Sequence, residues 1–185
     1  SIGCGVPESN AIENGDLSAG TQAWTVLDPE TGPQDAYFDD GSNNVVAEID
    51  ANASSTSSWE QAFDVSAEYV GAVRTLRLDI ADRVDHASDV GGLLVEIVDP
   101  AGAAVPLVGV AGGGFFNLEP GLLRVDALSA GAFEEASIRF VTSSAGVYRL
   151  RLLEQVSGPG ESLGNGAGLV FDNVEILLVQ CAPPR

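Results

Sequence analysis

Apolar and polar residues alternate with a period of two along much of this chain. Val45, Ala47 and Ile49 read as a run of period two, as do Gln61, Phe63 and Val65; Leu76, Leu78 and Ile80; and Tyr148, Leu150 and Leu152. Successive side chains of a pleated strand point to opposite faces, so each run predicts a half-buried strand. Chain breakers punctuate the runs: Asp28-Pro29, Asp40-Gly41, Asp99-Pro100-Ala101-Gly102, Gly112-Gly113-Gly114, Glu119-Pro120-Gly121 and the stretch from Gly158 to Gly168. Leu93 to Val98, the Asp-Pro-Ala-Gly turn and Val105 to Val110 form the clearest predicted hairpin, because proline presets a type I turn and glycine ends it. Only Ala130 to Ala136 hints at a short helix. The expected fold is all-β, a single jelly-roll β-sandwich of two antiparallel sheets over residues 1–181. Residues 182–185, with the pair Pro183-Pro184, read as a tail or as the start of a linker, since prolines cannot continue a sheet.

Composition narrows the picture. A chain of 185 residues that is 45% hydrophobic can bury one sizeable core. The absence of methionine, with Ser1 first, reads as a chain processed or cut from something larger. No apolar run approaches the ~18 residues that span a bilayer, and Val174 to Val179 is interrupted by Glu175, so membrane insertion is not expected. The two cysteines, Cys4 and Cys181, belong to no CxxC or Cys/His cluster, which favours a disulfide formed in an oxidising compartment and hence a secreted or cell-surface protein. Such a bridge requires Cα atoms about 4.4–6.8 Å apart, which would lay the first and last strands side by side.

All eight basic residues are arginine, against twenty-seven acidic ones, for a formal net charge of -19. Nucleic acid and anionic lipid need a basic surface and are disfavoured as partners. The acidity has two readings, solubility in salty surroundings or capture of divalent cations that offset self-repulsion. Catalysis is not expected: the single histidine, His86, has no Gly-x-Ser-x-Gly serine to serve, and Gly109 to Gly114 lacks the lysine and Ser/Thr of a phosphate loop.

Asn14-Gly15-Asp16-Leu17, followed by Gly20 and Trp24, is similar to the opening of galactose-binding-like jelly rolls, which include many carbohydrate-binding modules. Ser42 to Val46 resembles their second strand, Gln61 to Val65 the following one, and Leu169 to Ile176, containing Phe171-Asp172-Asn173-Val174, the closing strand. The resemblance implies a structural calcium where the first and last strands meet, with Asn14, Asp16 and Asp172 at the matching positions. Ser18 stands where the family carries a glutamate, so Asp16 would have to substitute for it. The alternative for Asp172 is a carboxylate that accepts hydrogen bonds from a turn. Two further acidic groups, Asp35 with Asp39, Asp40, Asn43 and Asn44, and Asp82 with Asp85, His86 and Asp89, read first as solvated turns.

The resemblance also implies a glycan ligand. Sugar sites stack an aromatic ring on the pyranose and fix its hydroxyls with a few polar groups. Tyr37 and Phe38, flanked by acids, and Phe115-Phe116 are candidate exposed rings. Trp59 shares parity with Phe63 and Val65, which points it inward at a strand end, with a rim position as the alternative; Trp24 is expected to be buried. The expected function is a non-catalytic, secreted module that binds polysaccharide or glycan. The alternative is a structural subunit of a filament, cell-surface layer or adhesin, whose sheet edges pair with copies of itself.

Overall fold

The computed structural model describes residues 10–49, 57–84, 92–111, 116–119, 122–125, 131–155 and 169–180. Cys4, Cys181, Asp85, His86, Asp89 and Phe115 lie outside the described residues, and the expected disulfide with them. The strands are β1 (Thr25–Leu27), β2 (Glu30–Pro33), β3 (Val45–Ile49), β4 (Ser58–Val65), β5 (Val73–Asp82), β6 (Gly92–Val98), β7 (Leu107–Ala111), β8 (Phe116–Glu119), β9 (Leu122–Val125), β10 (Glu134–Val141), β11 (Gly146–Gln155) and β12 (Leu169–Gln180); one helical turn, α1, spans Asp35–Phe38. They form two antiparallel sheets. The front sheet runs β1-β4-β11-β6-β9-β8 and the back sheet β2-β3-β12-β5-β10-β7. From β3 to β8 each successive strand lies in the opposite sheet, so the chain folds as the all-β sandwich that the alternation implies.

The core lies between the sheets, where the inward parities meet. Gln61, Phe63 and Val65 of β4, Leu76, Leu78 and Ile80 of β5, and Tyr148, Leu150 and Leu152 of β11 are all buried. Trp59 sits at the centre of a ring cluster, edge-on to Trp24 at 5.9 Å and to Phe171 at 5.4 Å, while Phe63 stacks on Tyr148 at 5.7 Å.

The opening segment lies beside the closing strand, although the first strand, β1, pairs with β4 in the other sheet and not with β12. Ala11 donates to the Ile176 carbonyl at 3.0 Å and Val174 to the Gly15 carbonyl at 2.9 Å, while Asn10 Oδ1 accepts from Ile176 N at 2.9 Å. Gln61 clips the same segment from the front sheet: its amide accepts from Glu13 N and donates to Glu13 O. A bulge explains the Phe-Asp-Asn-Val phrase. Register shifts between Asp172 and Glu175, and Asn173 adopts φ 50°, so Phe171, Val174 and Ile176 all face the core despite the broken alternation. Asparagine tolerates this left-handed conformation better than most residues.

Three local expectations are corrected. The hairpin after β6 is only begun: Asp99 caps its turn and Val105 still donates to the Ile97 carbonyl, but Leu107–Ala111 then pairs with β10 in the back sheet. Pro106 lies at the crossing and has no N–H with which to continue the ladder. Glu134 to Ala136 is strand, not helix, because Ala136, Ile138 and Phe140 must all face the core. β3 is buried on both faces rather than one: α1 covers its outer side, where Tyr37 and Phe38 pack on Val46, Ala81 and Val170 with Phe133 alongside.

Candidate functional site

The rings singled out from the sequence do not form an open platform. Tyr37 is 5% exposed, Phe38 6% and Trp59 0%. Tyr37 and Phe38 form the inner side of α1 because Val46, Ala81 and Val170 leave an apolar patch on the outer face of the back sheet that water would otherwise meet. Arg83 lies over the Tyr37 ring at 5.3 Å and pairs with Glu48 at 3.1 Å. Burial pushes the Tyr37 phenol well above its ordinary range, and the charges of Glu30 and Glu48 add to the rise. Trp59 takes the inward option. Of the remaining rings whose side chains are described, Tyr69 and Phe133 are half-buried and Trp24, Phe63, Phe140, Tyr148 and Phe171 are buried.

Around the opening phrase, Asn14 is committed to its own turn. Its Oδ1 accepts from Ala19 N at 3.0 Å, its amide donates to the Gly20 and Gln22 carbonyls, and its main-chain oxygen accepts from the Trp24 indole at 3.1 Å. Asp16 Oδ1 accepts from Ser18 N and Oγ. Asp172 is 1% exposed and accepts from Asn44 Nδ2 at 2.7 Å and from Asn173 N at 2.7 Å. Burial holds its carboxyl above the usual range; the two hydrogen bonds oppose this, and the charges of Asp79 and Asp16 raise it further. Among the described residues no group of three or more His, Cys, Asp or Glu side chains could hold a metal ion. A calcium ion at this place would therefore draw on Asp172, Asp16 and main-chain carbonyls. The Asp35 loop behaves as a turn: Asp35 accepts from Gly41 N, Asp40 from Ser42 N and Gln34 Nε2, and Asp39 ends α1 with φ 51°.

A raised carboxyl binds its proton more tightly in the folded than in the unfolded chain. The stability it adds is present below the unfolded value, about 3.9, and is lost as pH rises through the higher folded value. Asp172→Asn is accordingly expected to lose less melting temperature than the wild type between pH 4 and pH 7, measured by thermal denaturation at fixed ionic strength.

A row of charged side chains lies on the outer face of the front sheet. Because Trp59, Leu150 and Ile97 face inward, the alternate positions Glu60, Arg151 and Glu96 face outward on three adjacent strands. Register places Arg151 directly opposite both acids. Its Nε donates to Glu60 at 2.6 Å and its Nη1 to Glu96. The hydrogen bond to Glu60 raises the Arg151 guanidinium above its ordinary value, opposed by burial and helped by Glu96. Two residues away, Arg149 is exposed between Ala62 and Val98 and has no ion-pair partner among the described residues. A groove of ≈ 290 Å³ runs over these four charged side chains, walled by Val98 and by Gly102 and Ala104 of the turn after β6. Fixed carboxylates offer acceptors for hydroxyl groups, and the guanidinium edges offer donors. The sequence reading missed this row, although the inward parity of Tyr148, Leu150 and Leu152 already sends Arg149 and Arg151 outward.

No family model and no curated protein matches the sequence. Solved structures do resemble the fold. The enzymatically active domain of tailspike protein 4 of bacteriophage CBA120 aligns over 92% of this chain and 21% of its own, with 13% identity and a TM-score of 0.55. A family 61 carbohydrate-binding module in complex with β-1,4-galactotriose aligns over 92% of this chain and 99% of its own, with 11% identity and a TM-score of 0.54. An arabinose-bound α-L-arabinofuranosidase aligns over 94% and 27%, with 10% identity and a TM-score of 0.54. This chain thus spans about a fifth of the tailspike domain and nearly all of the binding module. This chain and the binding module thus share a two-sheet β-sandwich fold, the fold that the terminal phrases implied.

Proposed function

We propose that this protein is a secreted, non-catalytic module that binds a polysaccharide or glycan across the outer face of its front sheet. The observation that carries the reading is the row Glu60–Arg151–Glu96, held in register on three neighbouring strands beneath a groove. The fold likeness to a galactotriose-bound module supports it. Arg151 holds both carboxylates in place, so they meet a sugar hydroxyl without first being ordered, which lowers the entropic cost of binding.

The test is a double substitution. Glu60→Gln with Glu96→Gln removes the charge from both acceptors and keeps their shape. Charge-assisted hydrogen bonds contribute about 1.5–3 kcal/mol each, so saccharide affinity, measured by calorimetry across a glycan panel, is expected to fall at least tenfold. Half-buried surface pairs stabilise by no more than ~1 kcal/mol each, so the fold should survive. Unchanged affinity would remove this face from the reading.

The same proposal includes a structural calcium beside Asp172. A divalent cation there would offset the burial of an ionised carboxylate next to Asp16 and Asp79. A melting curve with and without chelator at neutral pH checks it: loss of several degrees is expected, and superimposed curves would exclude it. The assembly reading draws on the lack of an open ring among the described side chains and on edge strand β1, where Leu27 is 52% exposed. It would prevail if no glycan bound and molecular mass rose with concentration.

A further inference from the structure

We infer that the groove on the front sheet selects an acidic saccharide, and that Arg149 is the residue that reads its carboxylate. This rests on the glycan reading above and narrows it. Arg149 and Arg151 stand on one face of β11 in different circumstances. Arg151 is occupied on both sides by Glu60 and Glu96, leaving little of its fork for a ligand. Arg149 faces Ala62 on β4 and Val98 on β6, neither of which can accept a hydrogen bond through its side chain. It is exposed and lines the same groove.

A neutral sugar would leave this guanidinium no charged partner. A hexuronate would meet it with two coplanar oxygens, the geometry a guanidinium fork matches best. Glu60 and Glu96, two positions along the strands, remain available to the hydroxyls of the same or the next residue. The absence of an open ring among the described side chains points the same way, because affinity must then come from polar contacts. The net charge of -19 sets a limit: a densely charged polyanion is repelled at long range, so an isolated or terminal uronate suits the site better than a continuous run.

The experiment uses matched trisaccharides of gluco, galacto and manno configuration, each as the neutral sugar and as an analogue with one terminal residue oxidised to the uronate. Binding is measured by calorimetry at 50 and 300 mM salt, roughly either side of the concentration at which surface charges are screened within ~10 Å. At least one uronate is expected to bind tenfold or more tighter than its neutral partner, with the advantage shrinking at high salt. Arg149→Gln should abolish that advantage while keeping the wild-type melting temperature. Arg149→Lys, which keeps the charge and loses the fork, should retain only part of it. Neutral sugars binding as well as uronates, or a uronate preference that survives Arg149→Gln, would overturn the inference and leave the glycan reading standing. Failure of every saccharide would sink both.

Discussion

Gly15→Ala is expected to destabilise the protein by about 3 kcal/mol, the upper end of what overpacking a tight site costs. A β-carbon built on Gly15 would lie 1.9 Å from the Val174 carbonyl oxygen and 3.5 Å from Ile12. The obstructing atom is backbone, and that backbone is fixed: Val174 donates to the Gly15 carbonyl and Ala11 to the Ile176 carbonyl, so neither segment can retreat without losing these bonds. At ~2–4 °C per kcal/mol for a chain of this size, the melting temperature should fall by roughly 10 °C. Gly20→Ala is the control. Nothing lies within 4 Å of its β-carbon, and only its φ of +61° resists substitution, at a cost of about 1–2 kcal/mol. Equal losses at the two positions would mean that the opening phrase needs glycine for conformation alone and that the close approach to β12 is not what holds the ends together.

The same contrast explains what the sequence made legible. Parity is local, so the inward faces of β4, β5 and β11 could be read residue by residue, and the two terminal phrases marked segments that the structure lays side by side. Strand order is not local. Nothing near Arg151 says that Glu60, ninety-one positions earlier, and Glu96, fifty-five earlier, become its cross-strand neighbours. The outward acids and arginines were each visible, and their row was not. Tyr37 and Phe38 failed for another reason: a short turn rich in acids looks like a solvated loop. The signal that it is a cover lay elsewhere, in Val45-Val46-Ala47 and Leu169-Val170-Phe171, which are apolar on both parities and so require burial on both faces. A strand that abandons alternation predicts that something packs on its outer side, and the nearest large apolar side chains are then the candidates to do it.

Trp59→Ala is expected to cost about 3–5 kcal/mol, the range for deleting a fully buried large ring, and to leave the saccharide recognition proposed for the front sheet unaltered at temperatures where the variant is folded. The ring is the hub of the inter-sheet cluster: Trp24 meets it at 72° and Phe171 at 85°, both edge-on, which joins the front sheet to the closing strand of the back sheet. Its cross-strand partners on β1 and β11, Val26 and Leu152, close over it on the same face. Removing it opens a cavity bounded by two sheets already fixed by their own ladders, so collapse can recover little. Trp59→Phe should lose less than the alanine variant, because a ring is kept and because the indole N–H, buried without a hydrogen-bond partner among the described residues, already offsets part of the benefit of burial. The comparison separates two roles that the residue type alone cannot. A stacking platform loses affinity on truncation and keeps its melting temperature; a core hub does the reverse. If Trp59→Ala melted like the wild type and lost its glycan, the ring would have to be reachable from solvent, against its complete burial here.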